Sequence, residues 1–297
     1  MKIKYLTIWL NEIRANFLIL AVVLVMIGGA AAWHDGSFYL GLFIVTVVGV
    51  VFAHISVNLF NEYSDWKTGI DERTIRTPFS GGSGNLQKGL LKPSQVRLAA
   101  WINLTVAFFI GLWLAWVSGW PVLVLMGVGG ITVVFYTDYL TKWMIGEFAS
   151  GITIGSFVVI GAYYVQTGEI TSGILWASVS PGILTSLLLL LNEFPDVEAD
   201  LAGGRRHLVI VLGKRVAGII YTVLLLSVFL IFVLGISIGE MPVGILVCFI
   251  TFPLAVYTAY RVLRYGSKTS KIITALGMNV IVVLATDFLM TVGYLIG

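Results

Sequence analysis

Nine long apolar runs, separated by polar links, constrain this 297-residue sequence more than any other feature. A helix needs about 20 apolar residues to cross a bilayer, and each run is long enough. Only 11% of the residues are charged, whereas a soluble domain has about 25%. The runs do not alternate as barrel strands would, and a lone helix satisfies its own backbone in lipid. The sequence therefore predicts one all-α integral membrane domain over residues 1–297. We expect nine transmembrane helices in a bundle, at about residues 15–33, 38–63, 94–117, 120–138, 144–166, 173–194, 212–236, 241–264 and 270–296.

The basic residues predict how this bundle is oriented. All 18 Lys and Arg residues fall before the first span, in the links that follow even-numbered spans, or in the span ends that adjoin those links, and the other side has none. Under the positive-inside rule, the N-terminus and the long loops face the cytoplasm, and the C-terminus lies outside the cell membrane.

A pentapeptide pattern occurs twice, at the ends of the second and sixth spans. Residues 61–65 read Asn-Glu-Tyr-Ser-Asp, and residues 192–196 read Asn-Glu-Phe-Pro-Asp. Because four spans separate the copies, both helices run in the same direction, which predicts a parallel internal repeat. We expect two cytoplasmic loops at these ends, 64–93 over the active site and 195–211 after the second copy, with Pro195 kinking or ending its helix.

The spacing of the polar residues in the two copies favours a shared cation. Asn61 and Asp65 lie four residues apart and share a helix face, as do Asn192 and Asp196. Acids at the ends of apolar helices are costly unless they are neutralised, and hard oxygen ligands suit Mg²⁺, which typically also binds substrate phosphates. The alternative is a pair of solvated acidic loop ends. The predicted metal ligands are Asn61, Asp65, Asp71, Asn192, Asp196 and Asp200.

Basic residues near the two motifs are candidates for binding a diphosphate, Arg through its planar fork. The alternative is that each is a topology anchor. Between them, residues 78–85 form a glycine-rich run whose backbone N–H groups could wrap around an anion, although no Gly-Lys-Ser/Thr follows as in a P-loop. The predicted diphosphate ligands are Lys67, Arg73, Arg76, Lys142 and Arg205.

These residues resemble the UbiA superfamily of intramembrane prenyltransferases, and the resemblance covers essentially the whole chain. Residues 61–65 look like its Asn-Asp/Glu-x-x-Asp signature, and residues 196–200 look like its Asp-x-x-x-Asp signature. Residues 58–71, Gly146-Glu147 and 192–196 are similar to the naphthoate prenyltransferase branch of the menaquinone pathway and its animal relatives. Residues 76–81 are closer to an Arg-Pro-x-x-Ser-Gly form of other branches.

The resemblance implies Mg²⁺-dependent transfer of a polyprenyl group, geranylgeranyl or similar, from its diphosphate to an aromatic acceptor within the membrane. A naphthoate is the first acceptor implied, and hydroxybenzoate or a glycerol-phosphate ether lipid the next. A central cavity, open to the cytoplasm and laterally to lipid, would hold the isoprenoid tail. The implied catalytic residues are Asp65, Asp196, Lys142 and Tyr139, the tyrosine as a shield for the allylic cation.

Two other classes of protein compete with this interpretation. A transporter with a parallel repeat would place polar sites near the bilayer midplane, whereas the repeated acids here lie at one edge. A non-catalytic lipid-binding protein has no evident need for two matched motifs. We expect membrane lipid around the protein and no nucleic acid partner. Within the spans, Asp287 is predicted to make a structural hydrogen bond and His54 to pack between helices.

Overall fold

The computed structural model describes residues 2–74, 76–77, 79–135 and 142–297, and the regular secondary structure in these ranges consists of helices. Eight helices are long and apolar enough to cross a membrane, and Pro121–Phe135 is a shorter apolar helix. In chain order the helices are α1 (Lys2–Glu12), α2 (Ala15–His34), α3 (Leu40–Thr68), α4 (Ile70–Arg73), α5 (Pro93–Ser118), α6 (Pro121–Phe135), α7 (Gly146–Thr167), α8 (Ser172–Ala202), α9 (Leu208–Ser237), α10 (Val243–Tyr265) and α11 (Ser270–Ile296).

Eight of the nine predicted spans coincide with these long helices. The fourth, predicted at 120–138, corresponds to α6 as far as Phe135, and residues 136–138 lie outside the described residues. The count of nine, the internal repeat and the orientation in the membrane therefore stay predictions.

The outer surface of the bundle is apolar, which is the reverse of a soluble protein. The side chains of Trp116, Trp120 and Ile250 are 83%, 71% and 70% exposed. Exposed apolar surface on this scale requires an apolar surrounding. Together with the eight long helices, it identifies an integral membrane protein.

Helices α7 and α8 pack unusually closely near the first turns of α7. A Cβ atom on Gly155 would lie 2.6 Å from the Cα of Gly182. No side chain fits between the two backbones here, so glycine at position 155 allows the close packing of the two helices. This contact fixes the start of α7 against the part of α8 that leads to the second motif.

Both motif helices extend further than the sequence predicts. α3 continues to Thr68 and is ended by Gly69, whose φ of +71° is the left-handed conformation that favours glycine. α8 runs through Pro195 to Ala202, so the prediction of a loop from residue 195 is wrong for its first eight residues. Proline removes one backbone donor, but buried Phe194 before it and Ala199 after it hold both halves of the helix in place.

Candidate active site

The two motifs meet at one end of the bundle, around a small cavity of about 120 Å³. All six predicted metal ligands line this cavity, although the two motifs are more than 120 residues apart in the chain. The lining residues that carry the chemistry are Asn61, Asp65, Asp71, Asn192, Asp196 and Asp200, together with Arg14, Ser80, Glu193, Arg205 and His207.

Arg205 joins the two motifs directly. Its Nη1 lies 2.8 Å from Oδ1 of Asp200, and its Nη2 pairs with the carboxylate of Asp65. The Arg205 backbone N–H also donates to the carbonyl of Asp200, at 2.9 Å. This turn after α8 therefore places the guanidinium between the ends of α3 and α8, and of the predicted diphosphate ligands it is the one that lines the cavity.

The glycine-rich run closes over Asp71. A Cβ atom on Gly82 would lie 2.5 Å from Oδ2 of Asp71, and Gly82 has a φ of +68°. The side-chain amide of Gln87 donates to the same Oδ2 at 3.1 Å. Burial, together with the nearby carboxylates of Asp65 and Glu62, raises the pKa of Asp71 to about 7. Negative charge is thus crowded here, and a bound cation would relieve it.

A buried polar frame, which the sequence did not reveal as part of the site, holds this loop. Glu62 accepts hydrogen bonds from the backbone N–H of Ser83, at 3.0 and 3.1 Å, and pairs with Arg14 at 2.7 Å. The hydroxyl of Ser83 donates to Glu12 at 2.7 Å. The frame ties α1, α3 and the glycine-rich run together. Its sequence signal is only Glu62, the second residue of the first motif, because nothing local indicates that Arg14 folds inward.

The other predicted diphosphate ligands do not reach the cavity. Lys67, Arg73, Arg76 and Lys142 are exposed. Arg76 donates to the carbonyl of Gly81 at 3.2 Å and to Oε1 of Gln87 at 3.3 Å, so it braces the loop. Their diphosphate roles stay predictions, and the predicted catalytic Tyr139 lies outside the described residues.

A second, larger cavity of about 880 Å³ adjoins the small one. Arg14, Asn61, Phe79, Leu189 and Asn192 line both cavities. Beyond them its walls are mostly apolar side chains from α3, α5, α6, α7 and α8. Its size is within the range of cavities that hold organic ligands, and its polar end coincides with the two motifs. His54, predicted to pack between helices, lines this cavity.

The residues at the small cavity fit a hard divalent cation. The donor set consists of carboxylate and amide oxygens, which Mg²⁺ prefers. Oδ1 of Asn192 and Oδ1 of Asp196 are buried and have no hydrogen-bond partner among the described residues. Buried oxygens of this kind are normally satisfied, and a cation would satisfy both.

Comparison with known proteins agrees with this geometry. A cyanobacterial 2-carboxy-1,4-naphthoquinone phytyltransferase from Synechocystis is 27% identical, over 97% of this chain and 92% of its own length. A 1,4-dihydroxy-2-naphthoate octaprenyltransferase from Bacillus subtilis is 30% identical over 68% of this chain and 65% of its own. A UbiA homolog from Archaeoglobus fulgidus, solved bound to DMAPP and Mg²⁺, shares the fold, with a TM-score of 0.60 and 11% identity over 96% of this chain and 99% of its own. The model of the UbiA prenyltransferase family matches residues 21–281. The chain therefore belongs to the UbiA prenyltransferase family of intramembrane enzymes.

Proposed function

We propose that this prenyltransferase transfers a polyprenyl group from a polyprenyl diphosphate to a naphthoate-type aromatic acceptor, with Mg²⁺ as cofactor. The observation that carries the proposal is the junction of the two cavities at Asn61 and Asn192. An anion-binding end and an apolar chamber are there continuous, as a substrate with a diphosphate head and an isoprenoid tail requires.

The residues that would hold the metal are the six oxygen donors of the small cavity, Asn61, Asp65, Asp71, Asn192, Asp196 and Asp200. When bound, Mg²⁺ would stabilise the negative charge that develops on the leaving diphosphate. Arg205 adds a fixed positive charge between the motifs, and the backbone N–H groups of the glycine-rich run offer further donors to phosphate oxygens. The A. fulgidus homolog, which shares the fold and was solved with DMAPP and Mg²⁺, supports the choice of Mg²⁺ as the cofactor.

The large cavity would hold the isoprenoid tail and the acceptor. Its apolar walls exclude water from the carbon atom that is left when the C–O bond breaks, so that an allylic cation is attacked by the acceptor rather than by water. The ring of Phe79 lies at the junction of the two cavities, where its face can stabilise positive charge. The predicted shield, Tyr139, remains a second candidate for this role.

The naphthoate acceptor is supported by the whole-length relative that uses a naphthoquinone acid and by the B. subtilis octaprenyltransferase. Hydroxybenzoate and glycerol-phosphate ether lipids are the acceptors to test beside it. We place the reaction at the cytoplasmic side, since both motifs lie at the end of the bundle where the sequence concentrates its basic residues.

The test is transfer by the purified protein in detergent or liposomes. Labelled geranylgeranyl diphosphate is supplied with each acceptor, in Mg²⁺ or in EDTA. We expect Mg²⁺-dependent prenylation of dihydroxynaphthoate. If no acceptor gives a prenylated product and no diphosphate is released, the proposed reaction is wrong.

Variants separate the site from the fold. Asp65→Ala and Asp196→Ala should each abolish transfer, because each removes an oxygen donor at the centre of the site. Glu198→Ala is the matched control, as Glu198 lies two residues from Asp196 on the same helix and is exposed. Near-normal turnover by either aspartate variant contradicts the two-motif metal site.

A further inference from the structure

Three metal-ligating side chains from different elements converge beside the small cavity. Glu147 lies at the start of α7, Glu193 in α8, and His207 just before α9. One carboxylate oxygen from each glutamate and one ring nitrogen of His207 all lie within 4.8 Å of one another. Ligands on one tetrahedral ion lie about 3–4 Å apart, so small side-chain movements would bring all three to a common ion.

The cluster is deeply buried, and each of its three side chains has one polar atom without a hydrogen-bond partner among the described residues. Glu147 and His207 are each 2% exposed and Glu193 is 9% exposed. Oε2 of Glu147 and Oε2 of Glu193 have no hydrogen-bond partner within the described part of the chain. Two buried carboxylates that face each other are unfavourable unless a cation or a proton lies between them.

Nδ1 of His207 lies beside Glu193, and its lone pair binds an ion only when the weak hydrogen bond that it accepts is given up. Nδ1 accepts this long hydrogen bond from the backbone N–H of Ile210, at 3.4 Å, which puts the proton of the neutral ring on Nε2. Nε2 lies 3.2 Å from Oδ2 of Asp200, and Nδ1 lies 3.3 Å from Oε2 of Glu193. A carboxylate near the far nitrogen of the ring is a common feature of metal-binding histidines.

Glu147 is also held in place for ligation. The backbone N–H of Leu208 donates to its Oε1 at 2.8 Å, which leaves Oε2 directed at Glu193 and His207. Two of the three ligands therefore accept a backbone hydrogen bond from outside the cluster, Glu147 from Leu208 and His207 from Ile210. Preorganised ligands lose little freedom when an ion binds.

We infer that Glu147, Glu193 and His207 form a second cation site, separate from the magnesium–diphosphate site and selective for a zinc-class ion. None of the three is among the proposed Mg²⁺ ligands. Two carboxylates and an imidazole suit Zn²⁺, whereas Mg²⁺ prefers oxygen ligands and retains several waters. The ion neutralises the facing glutamates and ties the start of α7 to α8 and to the start of α9. Glu193 and His207 line the small cavity, which gives the ion a path of entry.

Zinc binding to the full-length protein tests this inference without any measurement of activity. The purified protein is stripped with a chelator, and Zn²⁺ is titrated against a chromophoric competitor in the absence of diphosphate. We expect about one tightly held equivalent. Asp65→Asn/Asp196→Asn should keep it, and Glu147→Gln in that background should lower the affinity at least about tenfold. Glu198→Gln, on the exposed surface of α8, is the matched control.

X-ray absorption at the zinc edge of the wild-type protein adds a measurement that does not depend on how well a variant folds. One imidazole nitrogen with oxygen donors supports the site. The inference is overturned by a protein that retains no zinc, by Glu147→Gln binding as tightly as its parent, or by a spectrum with oxygen ligands alone. Oxygen ligands alone would assign the ion to the diphosphate site, and unchanged binding by Glu147→Gln would place the ion away from this cluster. A protein that retains no zinc would leave a shared proton between the glutamates.

Discussion

The guanidinium of Arg205 pairs with the carboxylate of Asp65, 140 residues earlier in the chain. The same side chain also pairs with Asp200, so one cation links the ends of α3 and α8. Because the three side chains are largely buried, the ion pairs are poorly screened by solvent. Arg205 therefore links the two motifs beside the small cavity that we propose holds the cation and the diphosphate.

Replacement of Arg205 by Gln should impair binding of the prenyl diphosphate. The variant loses the positive charge between the motifs and leaves Asp65 and Asp200 to repel each other. We expect kcat/KM for the diphosphate to fall at least about tenfold, as measured by initial rates in saturating acceptor. Arg206→Gln is the control, since Arg206 is the next residue and is exposed. Equal rates for the two variants would show that Arg205 does not contribute to diphosphate binding and acts only as a topology anchor.

Replacement of Gly82 by Ala should damage the site more than the same change at Gly89. Both glycines have positive φ, +68° and +65°, so both variants carry a similar backbone cost of about 1–2 kcal/mol. Only at Gly82 would the added methyl group meet the Asp71 carboxylate, whereas no atom lies within 4 Å at Gly89. We expect Gly82→Ala to lose at least about tenfold in turnover and Gly89→Ala to stay near wild type. A similar loss in both would show that backbone strain, and not the contact with Asp71, is responsible.

The metal-type ligands were accessible to sequence reasoning because their spacing is local. Asn61 and Asp65 lie four residues apart in one helix, and so do Asn192 and Asp196, so helical periodicity alone puts each pair on one face. The repetition then predicted that the two faces meet, and both line one cavity. The apolar runs gave the spans for the same reason, since length and composition decide whether a helix can cross a bilayer.

The parts that sequence reasoning missed depend on tertiary contacts. Arg14 reads as a topology anchor, yet it folds inward because Glu62 supplies a buried partner 48 residues later. Arg76 was predicted to bind the diphosphate from its distance along the chain, but its side chain is turned toward Gly81 and Gln87. Sequence distance from a motif does not fix the direction of a long side chain. The sequence did not indicate a role for His207, because the side chains near its ring, Glu193 and Asp200, belong to the preceding helix.

Replacement of Glu62 by Gln should destabilise the protein as well as the active-site loop. Glu62 is 1% exposed and is the counter-charge of Arg14, so its neutralisation removes the charge that is paired directly with a largely buried guanidinium. We expect the free energy of unfolding to fall by about 1–3 kcal/mol, seen as a lower Tm in thermal unfolding in detergent. Glu72→Gln, an exposed acid in α4, should leave Tm unchanged. An unaltered Tm for Glu62→Gln would mean that the pair with Arg14 contributes nothing to the fold.

A bulky residue at Gly129 should shorten the prenyl chain that the enzyme accepts. Gly129 in α6 lines the large cavity, and a Cβ atom there would meet no atom within 4 Å. Gly129→Phe therefore places a ring in the space proposed for the isoprenoid tail without a clash with its neighbours. We expect turnover with geranylgeranyl diphosphate to fall at least about tenfold relative to geranyl diphosphate, because lost cavity volume penalises the longer tail. Gly127→Phe is the matched control: Gly127 lies two residues earlier in α6, is exposed, and has equally open space at its Cβ. If both variants keep the wild-type preference between the two diphosphates, the tail occupies a different part of the protein.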